Sequence, residues 1–381
     1  MAIYIFIFIV AAGWYFASPG KSKSVMGLAF IMLSLCLFVG FSDMLGGYDR
    51  YIYGELFDEL ADFHKRGQNI QDAQIFFQYP KELGYDYWNY LVSFVTRNRY
   101  IFILLTTIVI YGLIFSSLKD YVDNYPFAVI LFLALIFFFT FTYLRQMMGA
   151  AIAWLSIRYI IKRDLKRFLL VILIACSFHN SALIFLPAYW IPIKKYEPNK
   201  VLLVMALLLI LGLTGLPSSL FSAYGEAAEM EERASAYAED ASGFRLAYLI
   251  ESGFFLLLIL LNYDKFKDNA RTTVLLNLGL VFCGILLFFI KSENGGRLGW
   301  YYMIGVISTV TYICTRERSI NKKGIGLIVL SFFLYFRILS SWGVQLAPYK
   351  TFFTPGIRKG DVIYQMFEYD SMYDKDKFYR K

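Results

Sequence analysis

The chain has 381 residues, of which 58% are hydrophobic and only 17% charged. Soluble domains carry about 25% charged residues, so a soluble enzyme is excluded and the chain reads as an integral membrane protein. The formal charge of +8 would suit nucleic acid, but the Lys and Arg stand in short loops between apolar runs, where the positive-inside rule places them, so nucleic acid is not an expected partner.

In chain order, the apolar runs predict an all-α polytopic bundle of about 12 spans. They lie at roughly 2–18, 24–41, 100–118, 126–143, 145–161, 167–178, 180–193, 200–216, 246–262, 272–290, 298–314 and 324–343. No charged n-region or A-x-A site opens the chain, so the first helix is expected to be retained, with its N-terminus outside. Lys21 and Lys23, and the basic connections 162–167, 194–200, 265–271 and 316–323, all thread to the cytoplasmic side. The opposite ends, 43–99 and 216–245, are net acidic. The runs 167–178 and 180–193 are short, but two crossings are needed to keep both Lys-rich flanks inside.

Two segments are expected outside the bilayer. Segment 42–99 holds an amphipathic run, Leu56, Phe57, Leu60 and Phe63 with acidic residues between. Its stretch 84–96 is apolar but too short to span, and reads as an interfacial or re-entrant helix. Segment 217–245 contains an acidic, alanine-rich stretch at 226–240. A charged tail, 344–381, follows the last helix, and its Asp374-Lys375-Asp376 reads as solvated tail rather than a metal site. No internal repeat appears, so residues 1–381 form one domain. Cys36, Cys176, Cys283 and Cys314 lie in apolar runs without a CxxC pair and read as core residues.

Ionisable residues within membrane helices are costly and are candidates for function. Arg145, Glu251, Arg297, Arg337 and His179 all fall in the outer half of the bilayer on this threading, Arg337 about 20 Å from the inner end of its helix. They predict one cavity that opens outward. Plainer readings stand beside this one. Arg145 and Arg297 can snorkel to the interface, Glu251 can simply pair with an arginine, and a lone histidine is often a hydrogen-bonded core residue. His179-Asn180-Ser181, however, is a polar triplet at a turn. Three arginines imply an anion, because guanidinium forks match phosphate oxygens. A lipid phosphate would reach this depth, and nearby aromatic rings suit sugars. HExxH, Walker A and GxGxxG patterns are absent, so no metal, nucleotide or other cofactor is expected.

Several short motifs occur in a shared order. They are Gly47-Tyr48-Asp49-Arg50-Tyr51-Ile52-Tyr53, Glu82-Leu83-Gly84-Tyr85-Asp86-Tyr87-Trp88-Asn89-Tyr90-Leu91, Leu144-Arg145-Gln146, Phe178-His179-Asn180-Ser181-Ala182, and Gly296-Arg297 with Tyr301-Tyr302. In these the chain resembles the EpsG/Wzy group of bacterial polysaccharide polymerases. It departs from the group where Ser42 replaces an arginine ahead of the Gly-x-Asp, and where Arg50 follows Asp49 in place of an aromatic.

The resemblance implies a GT-C-like membrane glycosyltransferase of the bacterial cytoplasmic (inner) membrane. It would move a growing glycan from undecaprenyl pyrophosphate to a lipid-linked repeat unit at the outer face. Implied partners are the undecaprenyl-pyrophosphate-linked oligosaccharide, membrane lipid and a chain-length regulator protein. Arg145, Arg297, Arg337 and Arg50 would stabilise the leaving pyrophosphate without a metal, with Tyr48, Tyr51, Trp88 and Tyr301 against the sugars. His179 is the first choice of base, its ordinary pKa suiting proton transfer near neutrality, with Asp49 and Glu251 behind it. Direct displacement with inversion follows from the absence of a nucleophile pair. The alternative is a transporter, a flippase for lipid-linked sugars or another anionic substrate, which predicts charge along the whole path, including its inner half.

Overall fold

The computed structural model describes the chain except residues 19–22, 44–47, 80, 215, 218, 221–242, 293–294, 316–321, 355–370 and 381. Among the described residues it is helical, with no β-strand. The helices are α1 (Ala2–Ala17), α2 (Val25–Gly40), α3 (Tyr48–Lys65), α4 (Gln74–Gln78), α5 (Leu83–Ser93), α6 (Arg99–Tyr121), α7 (Tyr125–Leu135), α8 (Phe139–Thr142), α9 (Leu144–Leu155), α10 (Ile157–Lys162) and α11 (Leu165–Phe178). A 3₁₀ helix (Asn180–Trp190) leads to α12 (Pro198–Leu213), α13 (Leu246–Leu260) and α14 (Ala270–Phe288). Another long 3₁₀ helix (Gly295–Tyr302) runs into α15 (Met303–Thr315), and α16 (Lys322–Ser341), α17 (Gly343–Leu346) and α18 (Ser371–Lys375) follow; short 3₁₀ turns stand at Ile70–Asp72 and Tyr263–Lys265.

Helix α7 is hydrophobic all round and wholly buried, which places it at the centre of the bundle. Around it α1, α2, α12, α13 and α16 turn large apolar side chains outward, among them Met26, Phe30, Leu203, Ile250 and Phe333. By length and composition α6, α14 and α16 are apolar enough to cross a membrane, and α1, α2, α7, α12 and α13 are shorter apolar helices. An apolar exterior over a packed core makes this a membrane protein. Asn98, Asn124 and Asn269 cap α6, α7 and α14 through their side-chain oxygens. Helices α14 and α15 touch backbone to backbone, since a Cβ on Gly279 would lie 3.3 Å from the Gly305 carbonyl oxygen.

Three expected helices are interrupted. The 126–143 run breaks between α7 and α8, and the 145–161 run breaks at Ser156. The 298–314 run begins as 3₁₀. The segment expected at 180–193 is also 3₁₀ rather than α. Pro187 stands inside it and cannot donate to an α ladder. This geometry explains how so short a segment matches its neighbour. Its 11 residues rise about 22 Å at 2.0 Å each, while the 14 residues of α11 rise about 21 Å at 1.5 Å each.

Several of the basic connections meet at one end of the bundle, while 316–321 lies outside the described residues. Lys23 and Arg271 pair with Asp123, Arg158 pairs with Asp120, and Lys195 donates to the Tyr263 and Phe266 carbonyls. The other end carries α3, α4 and α5. There the Leu56–Phe57–Leu60 face of α3 is buried in protein, with Phe57 stacked on Phe102 of α6 at 4.3 Å. The acidic stretch 226–240 lies outside the described residues.

The tail divides in two: Lys375 and Asp376 are exposed, as expected of a solvated Asp-Lys-Asp, but Tyr373, Lys377 and Arg380 dock the segment after 370 on α3 and its neighbours. Tyr373 Oη donates to Asp58 at 2.8 Å, and Arg99 both pairs with Asp58 at 2.6 Å and covers the Tyr373 ring at 4.4 Å. Lys377 is buried with Nζ 3.2 Å from an Asp43 oxygen, and Arg380 forks onto Asp62 at 3.0 Å. Of the Asp-x-Asp, the Asp374 side chain is outside the described residues, and Asp376 accepts the Phe378 N–H. Charges that read as solvating find partners about 320 positions away.

Candidate active site

A cavity of ≈ 1210 Å³ opens between α3, α9, the first 3₁₀ helix, α12 and α14. Its two ends differ in chemistry. At the α3–α5 end the lining is polar: Asp49, Tyr53, Tyr79, Glu82, Tyr143, Arg145, Gln146, His179, Asn180, Ser181 and Arg297. From there an apolar groove runs between Ile184 and Pro187, Val204 and Leu208, and Leu280 to Phe288, with Asn277, Tyr196 and Lys200 toward the basic end. Along α14 alone, Asn277 to Phe288 spans about 17 Å at helical rise. The 3₁₀ geometry builds one wall, because side chains at i and i+3 line up; Ser181, Ile184 and Pro187 are such a row, and all three border the cavity.

Arg145 opens α9 and is buried. It ion-pairs with Glu82, its Nε donates to Tyr53 Oη at 3.4 Å, and its guanidinium lies 3.3 Å over the Tyr79 ring. Burial raises the pKa of the Tyr53 hydroxyl, so it stays neutral beside the cation. The other Glu82 oxygen accepts the Asn180 N–H at 3.0 Å and caps the 3₁₀ helix. One carboxylate therefore ties α5, α9 and that helix together. Arg297 lies 4.5 Å over the Tyr143 ring and donates to Tyr143 Oη at 3.1 Å, while Gln146 holds the Arg297 carbonyl at 3.1 Å.

His179 is the C-cap of α11 and sits against Gly149, where a Cβ would come within 3.1 Å of the histidine Cβ. The Ser181 N–H donates to His179 Nδ1 at 3.3 Å, and Ser181 Oγ lies 2.6 Å from the same nitrogen and 2.8 Å from Tyr301 Oη. A backbone N–H can only donate, so Nδ1 is the acceptor and the proton of the neutral imidazole is on Nε2.

The cavity thus gathers Asp49, Arg145, His179 and Arg297. Other expected site residues stand elsewhere. Glu251 and Arg337 do not border it; they act on each other, with Arg337 on the exposed side of α16. Arg50 is fully buried and donates to the Val39, Ser42 and Phe141 carbonyls at 3.0, 2.9 and 3.1 Å, holding the ends of α2 and α8. Trp88 Nε1 donates to Thr106, Tyr51 lies by Arg99, and Tyr301 backs His179 from behind the lining. The Tyr48 side chain is outside the described residues. Glu82, Tyr53, Tyr79, Tyr143 and Gln146 are not singled out as site residues by the sequence, although Tyr53, Glu82 and Gln146 stand inside quoted motifs.

No curated protein and no solved structure matches the chain. The EpsG family model matches residues 25–351, a span that includes every residue lining the cavity. The chain therefore belongs to the EpsG family of Wzy-like polysaccharide polymerases.

Proposed function

We propose that the cavity binds a glycan carried on undecaprenyl pyrophosphate and transfers it to the next lipid-linked repeat unit. The threading that goes with this reading has about 12 crossings in a bacterial cytoplasmic membrane, with the basic loops inside and α3–α5 outside. The observation that carries it is the continuity of two chemistries in one cavity. An arginine mouth, Arg145 and Arg297, suits a pyrophosphate, and the apolar groove leading from it suits the attached isoprenoid.

In this scheme the acceptor hydroxyl attacks the anomeric carbon as the bond to the pyrophosphate oxygen breaks, which inverts the centre. The hydroxyl proton passes to Asp49, the carboxylate that enters the cavity from the first turn of α3. The charge left on the pyrophosphate falls on Arg145 and Arg297, with no metal required. His179 acts as an Nε2–H donor to a phosphate oxygen, because its Nδ1 is occupied as an acceptor. The flippase alternative is weaker on the same geometry, since the middle of the groove offers a sugar chain only apolar walls, with Asn277, Tyr196 and Lys200 only toward its basic end. The test is purified protein given a synthetic lipid-pyrophosphate repeat unit. A ladder of products supports the polymerase. Transbilayer movement of the substrate without elongation overturns it in favour of the flippase.

A further inference from the structure

One carboxyl behind the cavity wall is unused in this scheme. Asp86 lies on α5 one helical turn after Glu82, is fully buried, and has no hydrogen-bond partner on either oxygen. Asn89, three residues on, sends its amide N–H to the Tyr85 carbonyl at 2.8 Å and leaves its own oxygen unpartnered. Nothing near Asp86 therefore supplies the donors that a buried carboxylate needs.

The charged groups acting on Asp86 are Glu82 from its own helix and Arg145 from α9, and Arg145 is already paired with Glu82. Of the titratable groups on helices packed against α5, Tyr53 of α3 acts on Arg145 and Cys176 of α11 acts on Glu82. Arg99 of α6 is held by Asp58, His64 of α3 meets Ser93 Oγ at the far end of α5, and α4 carries no titratable side chain.

We propose that Asp86 is a positioning residue that works through Glu82: held as the neutral acid it leaves Arg145 with a single carboxylate partner, and when ionised it closes the mouth to an anionic headgroup. This rests on the reading of the cavity as a pyrophosphate site. With Asp86 neutral, Glu82 alone pairs with Arg145, and an entering pyrophosphate meets that locally neutral pair beside Arg297, with Asp49 also on the polar lining. With Asp86 ionised, two carboxylates share the guanidinium and repel the anion. Burial first, and the Glu82 charge second, push the Asp86 carboxyl up to about 7, so the change falls in the physiological range. By reciprocity, an anion that prefers the neutral form draws a proton onto Asp86 as it binds.

Two measurements on full-length protein in nanodiscs test this. The first is binding of geranylgeranyl pyrophosphate between pH 6 and 9 to wild type and Asp86→Asn, a permanent mimic of the neutral acid. Wild-type Kd should climb above pH 7 by up to about tenfold per pH unit, the limit for one linked proton, while the variant stays flat. The second is infrared titration of the carboxyl C=O stretch, which should show a protonated carboxyl below pH 7 that Asp86→Asn lacks. The same alkaline climb in Asp86→Asn, or a spectrum unchanged by the substitution, overturns the proposal. If wild type binds no pyrophosphate at any pH, the reading of the cavity fails, and the headgroup role with it. The infrared titration still decides separately whether Asp86 is neutral.

Discussion

Two regions at the α3–α5 end bury cations, and they use them in opposite ways. In the tail node, Arg99, Lys377 and Arg380 each meet a carboxylate, from Asp58, Asp43 and Asp62. None of those three cations lines the large cavity. At the cavity mouth a single carboxylate, Glu82, serves Arg145, and aromatic faces take up the rest of the work: Tyr79 under Arg145 and Tyr143 under Arg297. An aromatic face steadies a guanidinium while leaving most of its N–H donors for a ligand. The tail-node cations also lie over rings, Arg99 over Tyr373 and Lys377 over Tyr100, so neither a buried charge nor a ring contact alone marks a site. What marks it is a guanidinium at the edge of the large cavity.

Substitutions can break that contrast. The largest effect is expected at the mouth, where Arg145→Ala should lower the polymerisation rate by about 10²–10³-fold, the scale of a lost transition-state donor. It also strands Glu82, so the double variant Arg145→Ala/Glu82→Gln should regain thermal stability without regaining polymer. Arg145→Lys should recover little, since a point charge replaces a fork. Full activity in Arg145→Lys makes the mouth a general electrostatic patch and erases the contrast.

The next effect separates two roles for His179. As an Nε2–H donor it keeps working when protonated, so wild-type activity should show no loss that tracks imidazole protonation, and His179→Gln should retain about a tenth of the rate, the loss of one hydrogen bond. A base would instead lose about 10²–10⁴ on the same substitution and fail as the imidazole protonates. The pH profile and the Gln variant together decide it.

In the tail node the expected loss is stability rather than chemistry. Lys377→Met leaves the buried Asp43 carboxylate without its ammonium and should cost about 3–5 kcal/mol in unfolding, while the rate per folded molecule stays near wild type. A specific loss of rate at unchanged stability would make the tail part of the catalytic machinery. Asp86→Asn runs the other way. The Asp86 pKa is raised on folding, so its neutral form favours the folded state at low pH, and that advantage is lost as pH rises toward about 7. The variant should melt higher than wild type, by more at pH 8 than at pH 5. The smallest effect is expected for Arg337→Ala, which leaves the cavity untouched. Polymer yield should stay within about twofold, with any lost stability returned by Glu251→Gln, because the uncompensated charge is then gone.

Much of this protein is decided by local sequence. Apolar runs of span length, asparagine caps and basic connections determine the helices and the end where the basic loops meet, because hydrophobic burial and capping act over a few residues. Arg145, His179 and Arg297 were legible for the same reason, each being a polar residue that interrupts an apolar run. Tertiary structure alone decided which charges meet. Arg145 and Arg50 are both arginines next to motif residues, yet one borders the cavity and the other is spent on backbone carbonyls 8 to 91 positions away. Glu82 reaches Arg145 across 63 positions and Asn180 across 98, and the tail reaches α3 across more than 300. Composition counts those charges as solvated surface. Coulomb attraction and hydrogen bonding depend on distance in space, and only the packed bundle sets that distance.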